Sequence, residues 1–225
     1  YKKNTEVFSR HSSMVSPKYR GIGIFSELLN KVKNKELNNT SFIIMWPNKR
    51  NFASFGFRNS NIKEKKFYLY QISSKKNPAY RLKKNSIENL VKFKNYIKSD
   101  NNSFFYKNYK YFKHRYIGYK KRNYFINEFN YKNSKNFFIL KKLKKTSDLK
   151  FVILDHFGSK ELISMHFFEL INCCNQLIFL TKKKMKNKNY KFLNTINFKV
   201  GMNKKFNFKI NKDIYLGDTD IFITL

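Results

Sequence analysis

A turn with two glycines one residue apart, Gly21 and Gly23, constrains the fold of this chain more than any other stretch. It follows a β-prone segment over residues 4–15 and precedes an apolar helical pattern over residues 23–35. Glycine admits positive φ angles and a close approach of backbone to ligand, while a helix N-terminus offers unpaired N–H groups and a positive dipole. The stretch therefore predicts an anion site for a phosphate or pyrophosphate, with Lys18 and Arg20 adding charge.

Two common phosphate-binding motifs are excluded at this turn. A dinucleotide-binding fingerprint requires a third glycine three residues after the second, and Ser26 stands there. A P-loop requires glycine, lysine and then serine or threonine after four spacer residues, and no such sequence follows. An ordinary strand-to-helix turn remains the alternative interpretation, because two spaced glycines alone are a weak signal.

The residues after the turn predict a strand–helix–strand crossover. The spacing of Ile24, Leu28 and Val32 predicts a helix with one buried stripe. Residues 41–46 form an almost wholly apolar run, which is typical of a strand covered on both faces. Asn48 follows this strand after a proline, and a short helix is expected over residues 51–55.

The rest of the sequence predicts further strands and helices in alternation. An amphipathic helix that includes Ile87, Leu90 and Val91 is expected, with Asn85 as its N-cap. A short helix is expected to end at Phe198. The other expected elements are strands over residues 65–72, 136–143, 149–156 and 176–181, and a helix over residues 161–174.

The glycine turn resembles motif A of the GNAT N-acetyltransferases, which is Arg or Gln, two variable residues, Gly, one variable residue, and Gly or Ala. Residues 18–23 follow this pattern, except that Lys18 stands at its first position. The sequence of residues 15–25 is similar to that of GNAT-like proteins associated with surface-polysaccharide biosynthesis. Asn48 and the Gly56-Phe57 pair resemble the second GNAT landmark, but Phe55 stands where the family usually has a tyrosine that protonates the leaving thiolate.

The resemblance implies an acyl-CoA-dependent N-acyltransferase that transfers acetyl from acetyl-CoA to a small amine, such as an amino sugar. The strand before the turn would pair with the pantetheine arm, and its end carries two candidates for the general base, Glu6 and His11. An exposed polar strand residue is the favoured interpretation of each, and no metal site is expected. The residues implied in binding the cosubstrate are Met14, Val15, Lys18, Arg20, Gly21, Ile22, Gly23, Ile24, Phe25 and Asn48.

The resemblance also implies an α/β (α+β) fold with a mixed, mostly antiparallel sheet flanked by helices. Residues 1–75 would form the acyl-CoA-binding half, and residues 76–100 a linker and helix. Residues 101–225 repeat the order of strand, turn, helix and strand, and so predict a second, degenerate GNAT-like unit. Its turn has the single Gly158 and no preceding cations, so no cofactor is expected there.

The net charge of +34 raises a different function, binding of nucleic acid. Aromatic and basic residues interleave over residues 104–116, a pattern that can hold a single strand by stacking and phosphate contact. The same pattern fits an aromatic helix that packs on the sheet while its lysines reach solvent. Lysine, asparagine, isoleucine, phenylalanine and tyrosine are abundant throughout, which indicates a coding bias as a source of the charge. A catalytically inactive GNAT relic is a third alternative, suggested by Phe55.

The cysteines and the hydropathy of the sequence indicate in which cellular compartment the protein is expected. Cys173 and Cys174 are adjacent and lack metal-ligand spacing, so they are expected to be buried thiols of a reducing compartment. No apolar run of about 18 residues occurs, so no spanning helix is expected and the predicted location is cytoplasmic. The chain begins with Tyr1 rather than methionine, and we expect a piece whose amino-terminal part is missing.

Overall fold

The computed structural model describes a defined part of the chain, which divides into two compact units. The first unit comprises Tyr1–Phe67 and Ile196–Asn211, and the second comprises Tyr68–Thr195 and Lys212–Leu225. The described residues are 7–9, 16–19, 21–24, 26–28, 30–31, 42–45, 61–74, 82, 84–97, 105, 107–117, 123–143, 149–202 and 214.

The first unit contains a parallel strand pair joined through the glycine turn. Strand β1, Val7–Ser9, pairs in parallel with strand β2, Phe42–Met45. Parallel strands require a crossover connection, and here it includes a 3₁₀ turn at Pro17–Tyr19 and a helix, α1, whose described residues are 24, 26–28 and 30–31. The crossover predicted from the apolar run at residues 41–46 is therefore confirmed.

Two long strands continue the sheet from β2. Strand β3 spans Asn61–Ser73, and strand β9 spans Tyr190–Met202. The end of β9 pairs antiparallel with β2, with Met202 opposite Phe42 and Lys199 opposite Met45. The short helix predicted to end at Phe198 is wrong. The buried apolar residues instead recur at every second position, Ile196, Phe198 and Val200, which is the period of a strand with one face in the core, although Lys199 between them is buried as well.

The second unit contains five further strands, β4 (Asn85–Ser86), β5 (Tyr124–Tyr131), β6 (Ser134–Lys142), β7 (Lys150–Gly158) and β8 (Gln176–Thr181). Together with β3 they lie in the order β3-β8-β7-β6-β5-β4. All neighbouring pairs in this order are antiparallel except β7 and β8, which are parallel. The mixed, mostly antiparallel sheet expected for the chain is thus confirmed, although β5 was not predicted.

Helical segments cover both faces of this sheet. Helix α2, Tyr109–Phe112, continues into a π-helical turn at Lys113–Ile117, and helix α3, Ile163–Cys173, connects β7 to β8. Because both faces are covered, β6 and β7 are buried along most of their lengths. The predicted amphipathic segment is a 3₁₀ helix, Ile87–Tyr96.

Two caps of these helices follow from local sequence. Ser86 caps the 3₁₀ helix, its side chain accepting a hydrogen bond from the N–H of Glu88. The predicted cap Asn85 is wrong, because Asn85 lies in strand β4, where it pairs with Ile126 of β5. Asn108 caps α2, and its Oδ1 accepts from the N–H of Tyr111 at 2.9 Å. Hydroxyl and amide side chains thus satisfy N–H groups that have no partner within the helix.

Two expectations from composition can also be compared with the fold. Cys173 and Cys174 are both free and buried, as expected from their number and position. Within the described ranges, no helix is both long enough and apolar enough to cross a membrane.

Candidate functional site

The backbone of the glycine turn adopts conformations that favour glycine. The N–H of Tyr19 donates to the carbonyl of Ser16 at 2.9 Å, which closes the 3₁₀ turn. Gly21 then has φ +88° and Gly23 has φ +83°. Side chains with a Cβ are strained in this region of φ, so both glycines are required by the path of the chain.

The space beside these two glycines is open. Among the described residues, no atom lies within 4 Å of a Cβ built at Gly21 or at Gly23. Backbone conformation, and not crowding by the described residues, therefore favours glycine at both positions. The N–H of Glu27 donates to the carbonyl of Gly23 at 3.0 Å, so helix α1 starts directly from the second glycine.

The side chains around the turn are exposed. Ile22, Ile24 and Leu28 are 69%, 41% and 50% exposed. The buried stripe predicted for α1 is therefore wrong at Ile24 and Leu28. Helical spacing of apolar residues specifies a face but not what covers that face.

The described charges at the turn are few. The Nζ of Lys18 lies 4.7 Å from the centre of the Tyr19 ring, at the mouth of the turn. Glu27 and Lys31 form an ion pair of 3.0 Å one helical turn apart, and both side chains are largely exposed. Glu27 therefore pairs with Lys31 on the helix, and Lys18 is the described cation nearest in sequence to the two glycines.

Half of the predicted cosubstrate-binding residues are described by the structure, and all of these lie on this turn. The described ones are Lys18, Gly21, Ile22, Gly23 and Ile24, which lie within seven residues of chain. The other five, Met14, Val15, Arg20, Phe25 and Asn48, lie outside the described residues. The two candidate bases, Glu6 and His11, and Phe55 lie outside them as well. The role of each residue stays a prediction.

The corresponding turn of the second unit is filled by the chain itself. Gly158 ends β7 with φ +97°, and a Cβ at this position would lie 2.5 Å from the carbonyl oxygen of Lys135 and 3.1 Å from the ring of Phe137. The N–H of Ser159 donates to the same Lys135 carbonyl at 2.8 Å. A backbone oxygen of β6 therefore occupies the position where an anion would have to approach.

A buried ion pair behind this turn was not found from the sequence. The Nζ of Lys107 lies 2.7 Å from Oδ1 of Asp155, and the two side chains are 2% and 0% exposed. Tyr116 donates its hydroxyl to Oδ2 of Asp155 at 3.0 Å, and the N–H of His156 donates to Oδ1. These donors compensate the buried carboxylate, so loss of one partner would leave an unpaired buried charge, and the burial gives no access to a substrate.

The neighbouring His156 faces the other side of β7, as the alternation of a strand predicts. Its Nε2 donates to Oδ1 of Asn136 at 2.6 Å, and Nδ2 of Asn136 donates to Nδ1 of His166 on α3 at 2.7 Å. The other nitrogen of His166, Nε2, donates to Oδ1 of Asn127. Burial lowers the pKa of His166 to about 3, with a smaller effect of His156, so the ring is neutral. This network fixes α3 on the sheet.

The described part of the aromatic and basic run agrees in part with its second interpretation, since two of its rings pack in the core, but Lys107 is buried and does not reach solvent. Phe112 and Tyr116 are each 1% exposed. The Phe112 ring packs edge-on against Phe157 at 5.4 Å, and the Tyr116 ring packs against Tyr124 at 5.3 Å. These rings are committed to the core and offer no platform to nucleic-acid bases. Within the described part of the chain, no group of three or more His, Cys, Asp or Glu residues could hold a metal ion.

Comparisons with known proteins give a fold and no sequence relative. No protein-family model and no curated protein matches the sequence. Among solved structures, a conserved protein of unknown function from Enterococcus faecalis V583, described as a probable N-acyltransferase, aligns with a TM-score of 0.56 at 12% identity. A GCN5-related N-acetyltransferase from Anabaena variabilis ATCC 29413 aligns with 0.52 at 9% identity.

The alignments extend over most of this chain. It is covered to 88% by the Enterococcus protein and to 83% by the Anabaena protein, and it spans 54% and 52% of their lengths. Eis1 from Mycobacterium abscessus, with a TM-score of 0.50 at 7% identity, is likewise spanned over 57% of its length. The chain therefore has a GNAT-like fold and extends over little more than half of these larger proteins.

Proposed function

We propose that this chain is the cosubstrate-binding part of an acyl-CoA-dependent N-acyltransferase. The observation that supports the proposal most directly is the open turn with Gly21 and Gly23 at positive φ, placed between two parallel strands of a GNAT-like fold. In the proposed arrangement residues 1–75 bind the cosubstrate, residues 76–100 are a linker and helix, and residues 101–225 are a degenerate second unit.

The described residues of the turn suit a pyrophosphate. Backbone N–H groups from Gly21 to the first turn of α1 would donate to its oxygens, and Lys18 would balance its charge. A Cβ at either glycine would both strain the backbone and stand in the space that the ligand needs. By resemblance, Arg20 would add a second cation and Asn48 would hydrogen-bond the pantetheine arm.

The reaction would be a direct transfer to the acceptor. The acceptor nitrogen attacks the carbonyl carbon of the acetyl thioester, a C–N bond forms, and the C–S bond breaks to release the CoA thiolate. Glu6 or His11 would accept the proton that the nitrogen loses. Catalysis would rest mainly on positioning, since Phe55 has no proton to give to the thiolate. An amino sugar of a surface polysaccharide is the proposed acceptor, and the cytoplasm the proposed location.

Calorimetric titration of acetyl-CoA into the full-length gene product tests the binding step. We expect binding by the natural protein and a loss of at least ten-fold in affinity for Gly21→Val. Leu28→Ala is the matched control, because it changes an exposed side chain of α1 without touching the turn. Absence of binding to the natural protein, or an equal loss in the control, would contradict the proposal.

A transfer assay separates an enzyme from an inactive relic. Release of free CoA from acetyl-CoA in the presence of amine acceptors can be followed with a thiol reagent, since burial raises the pKa of both protein thiols, that of Cys174 to about 12. We expect CoA release to depend on the acceptor and to fall in Glu6→Gln or His11→Asn. Acetyl-CoA binding without release for any amine would identify the relic.

A further inference from the structure

The connection between β8 and β9 carries a concentrated positive charge. We call residues 182–191 the lysine loop. Its six lysines lie within ten residues, and the sequence has no aspartate or glutamate between Glu169 and Asp213. The lysines are Lys182, Lys183, Lys184, Lys186, Lys188 and Lys191.

Most of these lysines have no ion pair with a carboxylate of the described residues. Across the described ranges, no carboxylate pairs with five of the six lysines, all but Lys182, and these five are exposed. Elsewhere lysines do find carboxylates, as Lys31 does with Glu27 and Lys135 with Glu128. Like charges this close along a chain repel one another, so an anionic partner would relieve the repulsion.

Backbone hydrogen bonds connect the loop to β3 and within itself. The N–H of Met185 donates to the hydroxyl of Tyr70 at 3.0 Å, which ties the middle of the loop to β3. Asn187 accepts from the N–H of Asn189 through its side chain and from the N–H of Tyr190 through its carbonyl. The exposed lysines therefore lie on a loop whose backbone is hydrogen-bonded at Met185, Asn189 and Tyr190.

Exposed phenylalanines accompany the lysine loop. Phe192, next to the last lysine, is 52% exposed, and Phe168 on α3 is 63% exposed. A series of ring contacts connects Phe168 to the end of the loop, from Phe168 to Phe167 at 6.5 Å, then to Phe179 at 4.8 Å, and then to Tyr190 at 5.9 Å. Phe168 is thus connected to the loop through ring contacts, and Phe192, whose ring lies 5.8 Å from that of Tyr70, follows directly after its last lysine.

We propose that the lysine loop docks the protein on an anionic phospholipid bilayer, with its lysines at the headgroups and Phe168 and Phe192 in the interface. Clustered lysines bind an anionic membrane by diffuse attraction, and neighbouring apolar side chains add burial. The loop contains no arginine, whose planar fork is preferred for nucleic-acid recognition. This combination favours a lipid surface over a nucleic acid, and the inference does not depend on the proposed acyl transfer.

Sedimentation with vesicles tests the inference on the full chain. The probes are vesicles of phosphatidylcholine alone and vesicles in which roughly one-third of the lipid is phosphatidylserine. We expect binding to the anionic vesicles only, with a steep loss in high salt as the charges are screened. Equal binding to both vesicles, or to neither, would overturn the proposal without the need for any variant.

Two matched variants locate the surface. One replaces Lys183, Lys184, Lys186 and Lys188 by glutamine, and the control replaces Lys92, Lys94, Lys110 and Lys113, which are equally exposed. At about five-fold per lysine, the first variant should bind anionic vesicles several hundred-fold more weakly, while the control keeps most of its binding. Equal losses in the two variants would contradict a role for the loop.

Two further measurements decide between lipid and nucleic acid. Phe168→Ser should weaken vesicle binding a few-fold and leave the circular dichroism spectrum unchanged, since the ring is largely exposed. Oligouridylate should compete poorly with anionic vesicles. Preferential binding of oligouridylate that is lost in the first lysine variant would assign the loop to a nucleic acid and overturn the proposal.

Discussion

The chain makes the same connection twice, once from β1 through α1 to β2 and once from β7 through α3 to β8. Both connections join parallel strands, and both turns contain glycine at positive φ. Space remains beside Gly21 and Gly23, whereas the carbonyl of Lys135 stands 2.5 Å from where a Cβ of Gly158 would be. A glycine at positive φ is therefore not by itself the mark of a ligand site, because the same backbone device can serve access in one turn and tight packing in another.

The largest expected effect concerns the buried pair behind the second turn. Lys107→Met leaves the Asp155 carboxylate buried without its cation, and we expect a loss of about 3–5 kcal/mol in the free energy of unfolding. Urea denaturation followed by circular dichroism measures it. Lys31→Met in the first connection is the matched control and should cost less than about 0.5 kcal/mol, because its pair with Glu27 is exposed. Similar losses for the two would remove the contrast between the connections.

The two turns should respond differently to the same small side chain. Gly158→Ala adds a Cβ against a backbone oxygen at positive φ, so we expect destabilisation of about 2–4 kcal/mol. Gly21→Ala adds only the backbone strain, roughly 1 kcal/mol, and should instead weaken acetyl-CoA binding. Thermal unfolding and calorimetric titration distinguish the effects. A Gly21→Ala protein as unstable as Gly158→Ala would show that the first turn is closed as well.

The anchoring of α3 should make the second unit sensitive to acid. His166 has a pKa of about 3 in the folded state, against 6.5 when unfolded, so below pH 6.5 the unfolded state binds more protons. Its stabilising contribution is complete above pH 6.5 and is lost as the pH falls toward 3, at up to about 1.4 kcal/mol per pH unit. Urea midpoints between pH 7 and pH 4 measure the slope, which should flatten in His166→Gln. An unchanged slope in that variant would assign the acid sensitivity to other groups.

The smallest expected effect lies at the start of α1. Glu27→Gln removes the exposed ion pair with Lys31 and should change the free energy of unfolding by about 0.3–0.5 kcal/mol. Because a carboxylate near the glycine turn is removed, the affinity for acetyl-CoA should stay equal or rise slightly. Calorimetric titration at low salt checks this, and a marked loss of affinity would mean that Glu27 itself contacts the ligand.

Local signals carried the successful predictions. The apolar run at residues 41–46 and the glycine turn before it predicted the first crossover, since strand period and turn chemistry act over a few residues. The predicted strands over residues 149–156 and 176–181 are also present, as β7 and β8, with α3 between them. These elements depend on burial and period that a short window of sequence reveals.

The errors arose where partners lie far apart in the chain. Residues 190–202 form a strand between β2 and β3, and its last four residues pair with β2, a partner that no local window includes. Lys107 and Asp155 are separated by 48 positions, and nothing in the spacing of either residue indicates a buried pair. The exposure of Ile24 and Leu28 likewise depends on what covers α1 and not on the period of the helix.

The pairing of β9 with β2 has a consequence for synthesis of the chain. Met45 lies opposite Lys199, so a ribosome must add about 150 residues after β2 before its antiparallel neighbour exists. For β8 the order of synthesis is reversed, because its antiparallel neighbour β3 has already been synthesised when β8 is made. Most of the second unit, Tyr68–Thr195, can therefore assemble before residues 196–211 of the first unit have been synthesised. Contacts this distant in sequence close slowly. If synthesis is stopped before residue 196, we expect β6 and β7 of the ribosome-bound chain to be protected from protease already. Strand β2 then still lacks its pairing with β9.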